Sequence, residues 1–452
     1  MLQDFSVSML SFWIIYMTIT LLHACLSPEL FDVLEHGAVS DINNDSSQAF
    51  LEAWQAVCNS DIDNPTLLVP EWKTFLVNPI VFSGPCKPQH INFQILGEIV
   101  APPSPSAWEK HDPSQWLAFR EISRLHVYGS GTINGQGFGW WNQSCKYHPT
   151  MVAEIMRITG GGCSCLAFVF QKGCTKLAPT VSICLRNHQN VKFLGCNETS
   201  LSGIHFINSS QTHVNLVGCD VFHIDELTIE APGNSPNTDG IHLQHARNII
   251  ITNTQIGTGD DCVSIGDHTS NIDVLNITCG PGHGVSIGSL GRGGSYVDVR
   301  NILVRNVYFK GTTNGARIKT WQEGRGFVKR VIYENLFFNS VKNPLIIDQN
   351  YGARGAKLKE AMGVWISDVQ YKNLYGTSMS EVAVNLNCSE EVACTDIILD
   401  SIMFWPVQLG KPLTSYCSNA YGLARGMIQP PSCLQETSTT ARFINLFMHI
   451  KG

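Results

Sequence analysis

Residues 301–309 read Asn301-Ile302-Leu303-Val304-Arg305-Asn306-Val307-Tyr308-Phe309. An Asn opens a short β-prone run, a second Asn interrupts it, and another β-prone run follows. Similar runs occur upstream at Val191-Lys192-Phe193-Leu194, His213-Val214-Asn215-Leu216-Val217, Phe222-His223-Ile224, Ile249-Ile250-Ile251 and Ile272-Asp273-Val274-Leu275. Downstream they continue at Val331-Ile332-Tyr333, Val364-Trp365-Ile366 and Ile397-Ile398-Leu399. The step from Ile249 to Ile272 is 23 residues, from Ile272 to Ile302 it is 30, and from Ile302 to Val331 it is 29. Steps of that size predict an all-β solenoid, a parallel β-helix whose coils bury apolar side chains against one another. Asn at the strand ends is expected at the turns. A sandwich or barrel would place strands every 8–12 residues or so, joined by hairpins.

Working outward, residues 47–57 (SQAFLEAWQAV) have helical apolar spacing, with Ser46 or Ser47 as N-cap. A short β-like run, Phe31-Asp32-Val33-Leu34, precedes them. Such a helix would cap the first coil. Residues 9–22 (MLSFWIIYMTITLL) form an apolar run of 14, short for a bilayer span and suited to a secretory leader. The expected division is a signal peptide over 1–25, one β-helix domain over 26–434 and a tail over 435–452. The apolar segment 151–171, with Cys163 and Cys165, lacks the coil pattern. It reads as an insertion, or as translated intron in the gene prediction.

The formal charge of −7 argues against general nucleic-acid binding, and no later stretch is long and apolar enough for a membrane helix. Sixteen scattered cysteines suggest disulfides in an oxidising compartment. Asn-x-Ser/Thr sequons begin at Asn44, Asn142, Asn197, Asn208, Asn276 and Asn387. No cysteine quartet has metal-site spacing, so no metal is expected there.

Asn237-Thr238-Asp239-Gly240 precedes Gly259-Asp260-Asp261, with Asp239 and Asp260 21 residues apart. Gly282-His283-Gly284 follows, His283 lying 22 residues beyond Asp261, and then Arg317-Ile318-Lys319. One-coil spacing can stack these residues, since neighbouring strands lie about 4.8 Å apart. Asp260 and Asp261 share a site only if the chain bends there, because adjacent strand residues face opposite ways. Close carboxylates raise the pKa of at least one, leaving a proton for a general acid while neighbours activate water. Taken singly, each Asp is a turn residue or a calcium ligand. Arg317 and Lys319 would face one side and suit an anionic substrate; their alternative is an ion pair with the aspartates.

Those four motifs, in that order, resemble the signature motifs of the polygalacturonases, glycoside hydrolase family 28. The likeness to plant members extends through Ala231-Pro232-Gly233-Asn234-Ser235-Pro236, residues 279–290 (CGPGHGVSIGSL), Lys319-Thr320-Trp321 and Ile347-Asp348-Gln349-Asn350-Tyr351. It implies a right-handed parallel β-helix and a secreted, cell-wall, monomeric enzyme without cofactor that hydrolyses α-1,4 linkages of galacturonan in pectin. By the same resemblance Asp260 is the general acid, and Asp239 and Asp261 activate water for inversion. His283 would support the acid, Arg317 and Lys319 hold the substrate carboxylate, and Asn237 and Tyr351 line the site. The implied disulfides are Cys58 with Cys86, Cys145 with Cys174, Cys262 with Cys279, Cys388 with Cys394, and Cys417 with Cys433. One departure follows Tyr351: Gly352 and Leu358 stand where plant relatives usually carry two cysteines, which predicts a looser loop. A rhamnogalacturonan-type pectinase and an inactive pectin-binding wall protein are the alternatives.

Overall fold

The computed structural model describes residues 29–109, 111–112, 114–142, 144, 190–352, 362–408 and 410–436. The expected signal peptide, the 151–171 segment, Cys145 with Cys174, Leu358 and residues 437–452 of the expected tail lie outside the described residues.

The strands stack in parallel into a β-helix, and every strand pairing joins one coil to the next. Ile249, Ile272, Ile302, Val331, Val369 and Ile397 are register partners in succession. This is the column marked by the 23-, 30- and 29-residue steps, and its members are almost fully buried. Inside the coil Phe82, Phe119 and Phe193 stack at 5.0 and 5.1 Å. Such columns exclude water from the interior of the coils they cross, and apolar burial is the main stabilising term.

At the strand ends, Asn248, Asn253, Asn271, Asn276, Asn301, Asn306, Asn335 and Asn373 all adopt left-handed backbone conformations. Asn tolerates that region better than most residues, which explains its place at the turns. Their side chains form ladders between coils: Asn276 Nδ2 donates to Asn253 Oδ1 at 3.2 Å, Asn306 to Asn276 at 3.1 Å, and Asn335 to Asn306 at 3.2 Å.

The capping helix runs Ser47–Asn59 and buries Phe50, Ala53, Trp54 and Val57. Ser46 occupies the N-cap position but its side chain makes no cap bond. Instead Asp45 Oδ1 accepts from the Ser47 N–H at 3.0 Å. Four of the implied disulfides are formed: Cys58–Cys86, Cys262–Cys279, Cys388–Cys394 and Cys417–Cys433. Cys196 and Cys219 remain free and buried, so the cysteines do not all pair.

Candidate active site

The site lies on the 11-stranded sheet, where Ile241–Gln244, Val263–Ile265, Val285–Leu290, Asn314–Thr320 and Asn343–Asp348 are successive neighbours. His242, Ser264, Ser286 and Arg317 are register partners on its outer face. The aspartates sit just before these strands. Residues 259–262 form a bend, and only Val263 begins the strand, so Asp260 and Asp261 escape strand alternation and enter one site. Two glycines make the close stacking possible. A Cβ on Gly259 would fall 2.0 Å from the Ser235 carbonyl oxygen, and one on Gly284 would meet Asn314 O at 2.3 Å. Thr238 ties the motifs together, its Oγ1 accepting from the Gly259 N–H at 3.0 Å.

Asp260 is held by His283 twice. The His283 N–H donates to the Asp260 carbonyl at 2.8 Å, and Nδ1 lies 2.8 Å from Asp260 Oδ1. Asn237 Nδ2 approaches Asp260 Oδ2 at 3.5 Å, a weak contact. Asp261 is only 2% exposed, and its oxygens are taken up by cations and a hydroxyl. Oδ1 accepts from Ser286 Oγ at 2.9 Å and from Arg317 Nη2, and Oδ2 accepts from Lys319 Nζ at 2.8 Å. Ser286 Oγ also accepts from Arg317 Nε at 2.8 Å, which fixes the guanidinium. Both expected substrate cations thus already pair with Asp261, the ion-pair alternative left open by the sequence.

Asp239 has its carboxyl pKa pushed well above the ordinary carboxylate value by burial, with repulsion from Asp260 and Asp261 adding and Lys319 and Ser264 opposing. Its backbone carbonyl accepts from His213 Nδ1–H at 3.0 Å. His213 Nε2 accepts the Ser209 N–H, and burial holds this imidazole at a pKa of about 4, so it is neutral at ordinary pH. His242 Nδ1 lies 2.9 Å from Ser264 Oγ, and burial again lowers its pKa to about 4. Tyr351 is placed at the cluster by Lys319, whose Nζ is 5.4 Å from its ring centroid.

The structure therefore gathers Asn237, Asp239, Asp260, Asp261, His283, Arg317, Lys319 and Tyr351 around one cluster. Ser264, Ser286, His242, His213 and Asp348 were not singled out in the sequence. Asp348 is the register partner of Lys319, and burial raises its carboxyl pKa, opposed by the Asn350 N–H and Arg317. Val263-Ser264-Ile265 and Val285-Ser286-Ile287 recur at 22 residues, and that repeat marks both serines as outward-facing. One ligand-type atom each from Asp260, Asp261 and His283 lies within 4.8 Å of the others. Arg317, Lys319 and Ser286 already satisfy Asp261, so this donor set suits a charge-balanced carboxylate cluster better than a cation site. Gly352 lies against Trp321, where a Cβ would come 2.3 Å from the ring. A cysteine there would force that ring to move.

The sequence profile of Glycosyl hydrolases family 28 matches residues 58–159 and 155–425. A polygalacturonase of Malus domestica is 39% identical over 388 residues, which cover 85% of this chain and 75% of that protein. A probable polygalacturonase of Arabidopsis thaliana is 37% identical over 414 residues, covering 91% of this chain and 86% of its own length. The solved exopolygalacturonase of Thermotoga maritima shares the fold, with a TM-score of 0.67 at 22% identity over 84% of this chain and 89% of that one.

Proposed function

The chain belongs to glycosyl hydrolase family 28, and from that premise we propose that it hydrolyses α-1,4-galacturonosidic linkages of pectin as a polygalacturonase. The observation that carries this reading is the single cluster of three aspartates balanced by His283, Arg317 and Lys319. In the proposal Asp260 protonates the glycosidic oxygen, since His283 Nδ1 lies 2.8 Å from its Oδ1 and can accompany that proton's departure. Asp239 and Asp261 activate the attacking water together: Asp261, already held by Ser286, Arg317 and Lys319, orients it, and Asp239 takes its one proton. Arg317 and Lys319 have a first duty on Asp261, keeping it ionised, and flank the galacturonate carboxylate, with Asn237 and Tyr351 lining the sugar.

Nearest oxygens of Asp260 and Asp261 lie within 4.8 Å, whereas inverting pairs are commonly separated by roughly 6.5–9.5 Å. Charge supports inversion nonetheless. An Asp261 whose oxygens are held by two cations and a hydroxyl is a poor nucleophile toward an anomeric carbon, but it can still orient a water. Product-anomer NMR on polygalacturonate should show an initial β product; an initial α product would exclude inversion. Reducing-sugar release should fall about 10²- to 10⁴-fold in Asp260→Asn, and equal release by both proteins would remove the acid assignment.

The proposal includes secretion to the cell wall as a monomer after removal of residues 1–25, with pectin as its partner and no nucleic acid. It rests on the relatives and on the disulfides, which persist in oxidising compartments. Among the described residues no helix is long and apolar enough to cross a membrane. We place the β-helix domain over 26–434; Gln435, one residue further, still pairs with Tyr421.

A further inference from the structure

Arg317 and Lys319 are both bonded to Asp261, at a cluster that contains three carboxylates. A de-esterified galacturonan brings a further carboxylate on each sugar. Among the described residues, the cations of the cluster that would flank that charge, Arg317 and Lys319, are already paired with Asp261. Another cation stands at the far end of the same two strands.

Strand Val285–Leu290 presents Ser286 to Asp261 and then runs into Gly291 and Arg292. Its neighbour Asn314–Thr320 presents Arg317 and Lys319 and then runs into Trp321. Leu290 and Thr320 are register partners, so Arg292 and Trp321 come off adjacent strand ends. The Arg292 guanidinium carbon lies 5.2 Å from the Trp321 ring centroid. Trp321 packs edge-on against Tyr351 at 5.6 Å, and Lys319 Nζ is 5.4 Å from the Tyr351 ring. A continuous row, Lys319–Tyr351–Trp321–Arg292, thus leads away from the aspartates. Arg292 lies six positions beyond Ser286, two of them past the strand end at Leu290, a span of no more than about 20 Å.

Arg292 is exposed, and among the described residues it has no ion-pair partner. The neighbouring Glu323 carboxylate accepts the Gly293 N–H at 3.0 Å. A guanidinium stacked on an indole keeps its N–H edge free, and that edge matches a carboxylate with two parallel bonds. The stack also restricts the side chain before any ligand arrives.

We propose that Arg292, held on Trp321, binds a second carboxylate of the galacturonan chain, beside the sugar placed at the aspartates. This inference rests on the polygalacturonase reading. It makes the enzyme's affinity sensitive to methyl esterification at a sugar that is not being cleaved.

Binding is measured by calorimetry in the Asp260→Asn background, so that turnover plays no part. Adding Arg292→Gln should weaken binding of de-esterified polygalacturonate roughly 5- to 20-fold. It should change binding of highly methyl-esterified pectin less than about twofold. Arg292→Lys keeps the charge and loses the planar fork, so its affinity should fall between the two. In the active background the loss should appear mainly in KM. Equal weakening on both polymers, or unchanged affinity for the de-esterified one, overturns the assignment of Arg292. Absence of hydrolysis by the unmodified protein would instead overturn the activity, and the calorimetric comparison would still decide Arg292.

Discussion

Asp239 and Asp261 stand in the same cluster under opposite constraints. Two cations and the Ser286 hydroxyl satisfy Asp261, whereas Asp239 is buried beside two other carboxylates and its proton affinity is raised. A base on water must be ionised, so Asp239 should set the acid limb of the rate. Ser264 favours its ionised form, and His242 is neutral with Nδ1 2.9 Å from Ser264 Oγ, placed to donate there so that the serine proton faces Asp239. Removing the hydroxyl in Ser264→Ala should raise the Asp239 pKa further and move the acid limb of kcat/KM up by about 0.5–1 pH unit. His242→Asn, which can supply a donor near the Nδ1 position, should preserve more of the native profile than His242→Phe. A Ser264→Ala enzyme slowed equally at all pH values, with its limb unmoved, would reduce the pair to a packing role. The three aspartates, His283 and the two cations were legible in the sequence because their charges recur at coil spacing. The Val-Ser-Ile repeat could have put Ser264 and Ser286 on the outer face, but not at the aspartates, because a hydroxyl between apolar residues is ordinary strand composition. Nor could the sequence decide where Arg317 and Lys319 bond, since register places a side chain on a face without choosing its acceptor.

At the level of the element, each coil is fixed by an inner apolar column and an outer Asn turn, and the two do different work. The column was readable from Ile249, Ile272, Ile302 and Val331 because an apolar run must be buried. The turns were readable because Asn recurs at the strand ends. Their ladder bonds were not, since they depend on every coil turning at the same height. Asn306 shows the two contributions together: φ is +56°, and its side chain bonds Asn276 at 3.1 Å and Asn335 at 3.2 Å. Both Asn306→Gly and Asn306→Ala break the ladder, but only Ala also pays for the left-handed backbone. In urea the Ala variant should be less stable than the Gly variant by about 1 kcal/mol. Equal midpoints with equal slopes would mean that the backbone geometry contributes nothing there.

For the whole molecule, stability is limited by its two ends, because each inner coil has two neighbours and each terminal coil only one. The first coil is covered by helix Ser47–Asn59, which Cys58–Cys86 ties to the body. Sequence revealed that cap through its helical apolar spacing. The other end carried no comparable signal, and its closure is irregular. Strand Ala420–Gln429 pairs along Cys394–Pro406. The Gly422 N–H then donates to Gln435 O at 3.0 Å, the Gln435 N–H donates to Ala420 O at 3.1 Å, and Cys417–Cys433 clamps the turn. That disulfide closes a loop of 16 residues, for which chain entropy gives about 3 kcal/mol. In a solenoid this loss need not be shared by all coils. Replacing both cysteines by serine should raise amide exchange chiefly over residues 414–436, while coils around Asp260 keep their protection. Replacing Cys262 and Cys279 should instead loosen the catalytic bend, because Cys262 adjoins Asp261, and should lower turnover at temperatures where the fold is intact. Uniform loss of protection along the axis in the Cys417/Cys433 variant would show that the coils unfold as one unit and that the terminal clamp has no local role.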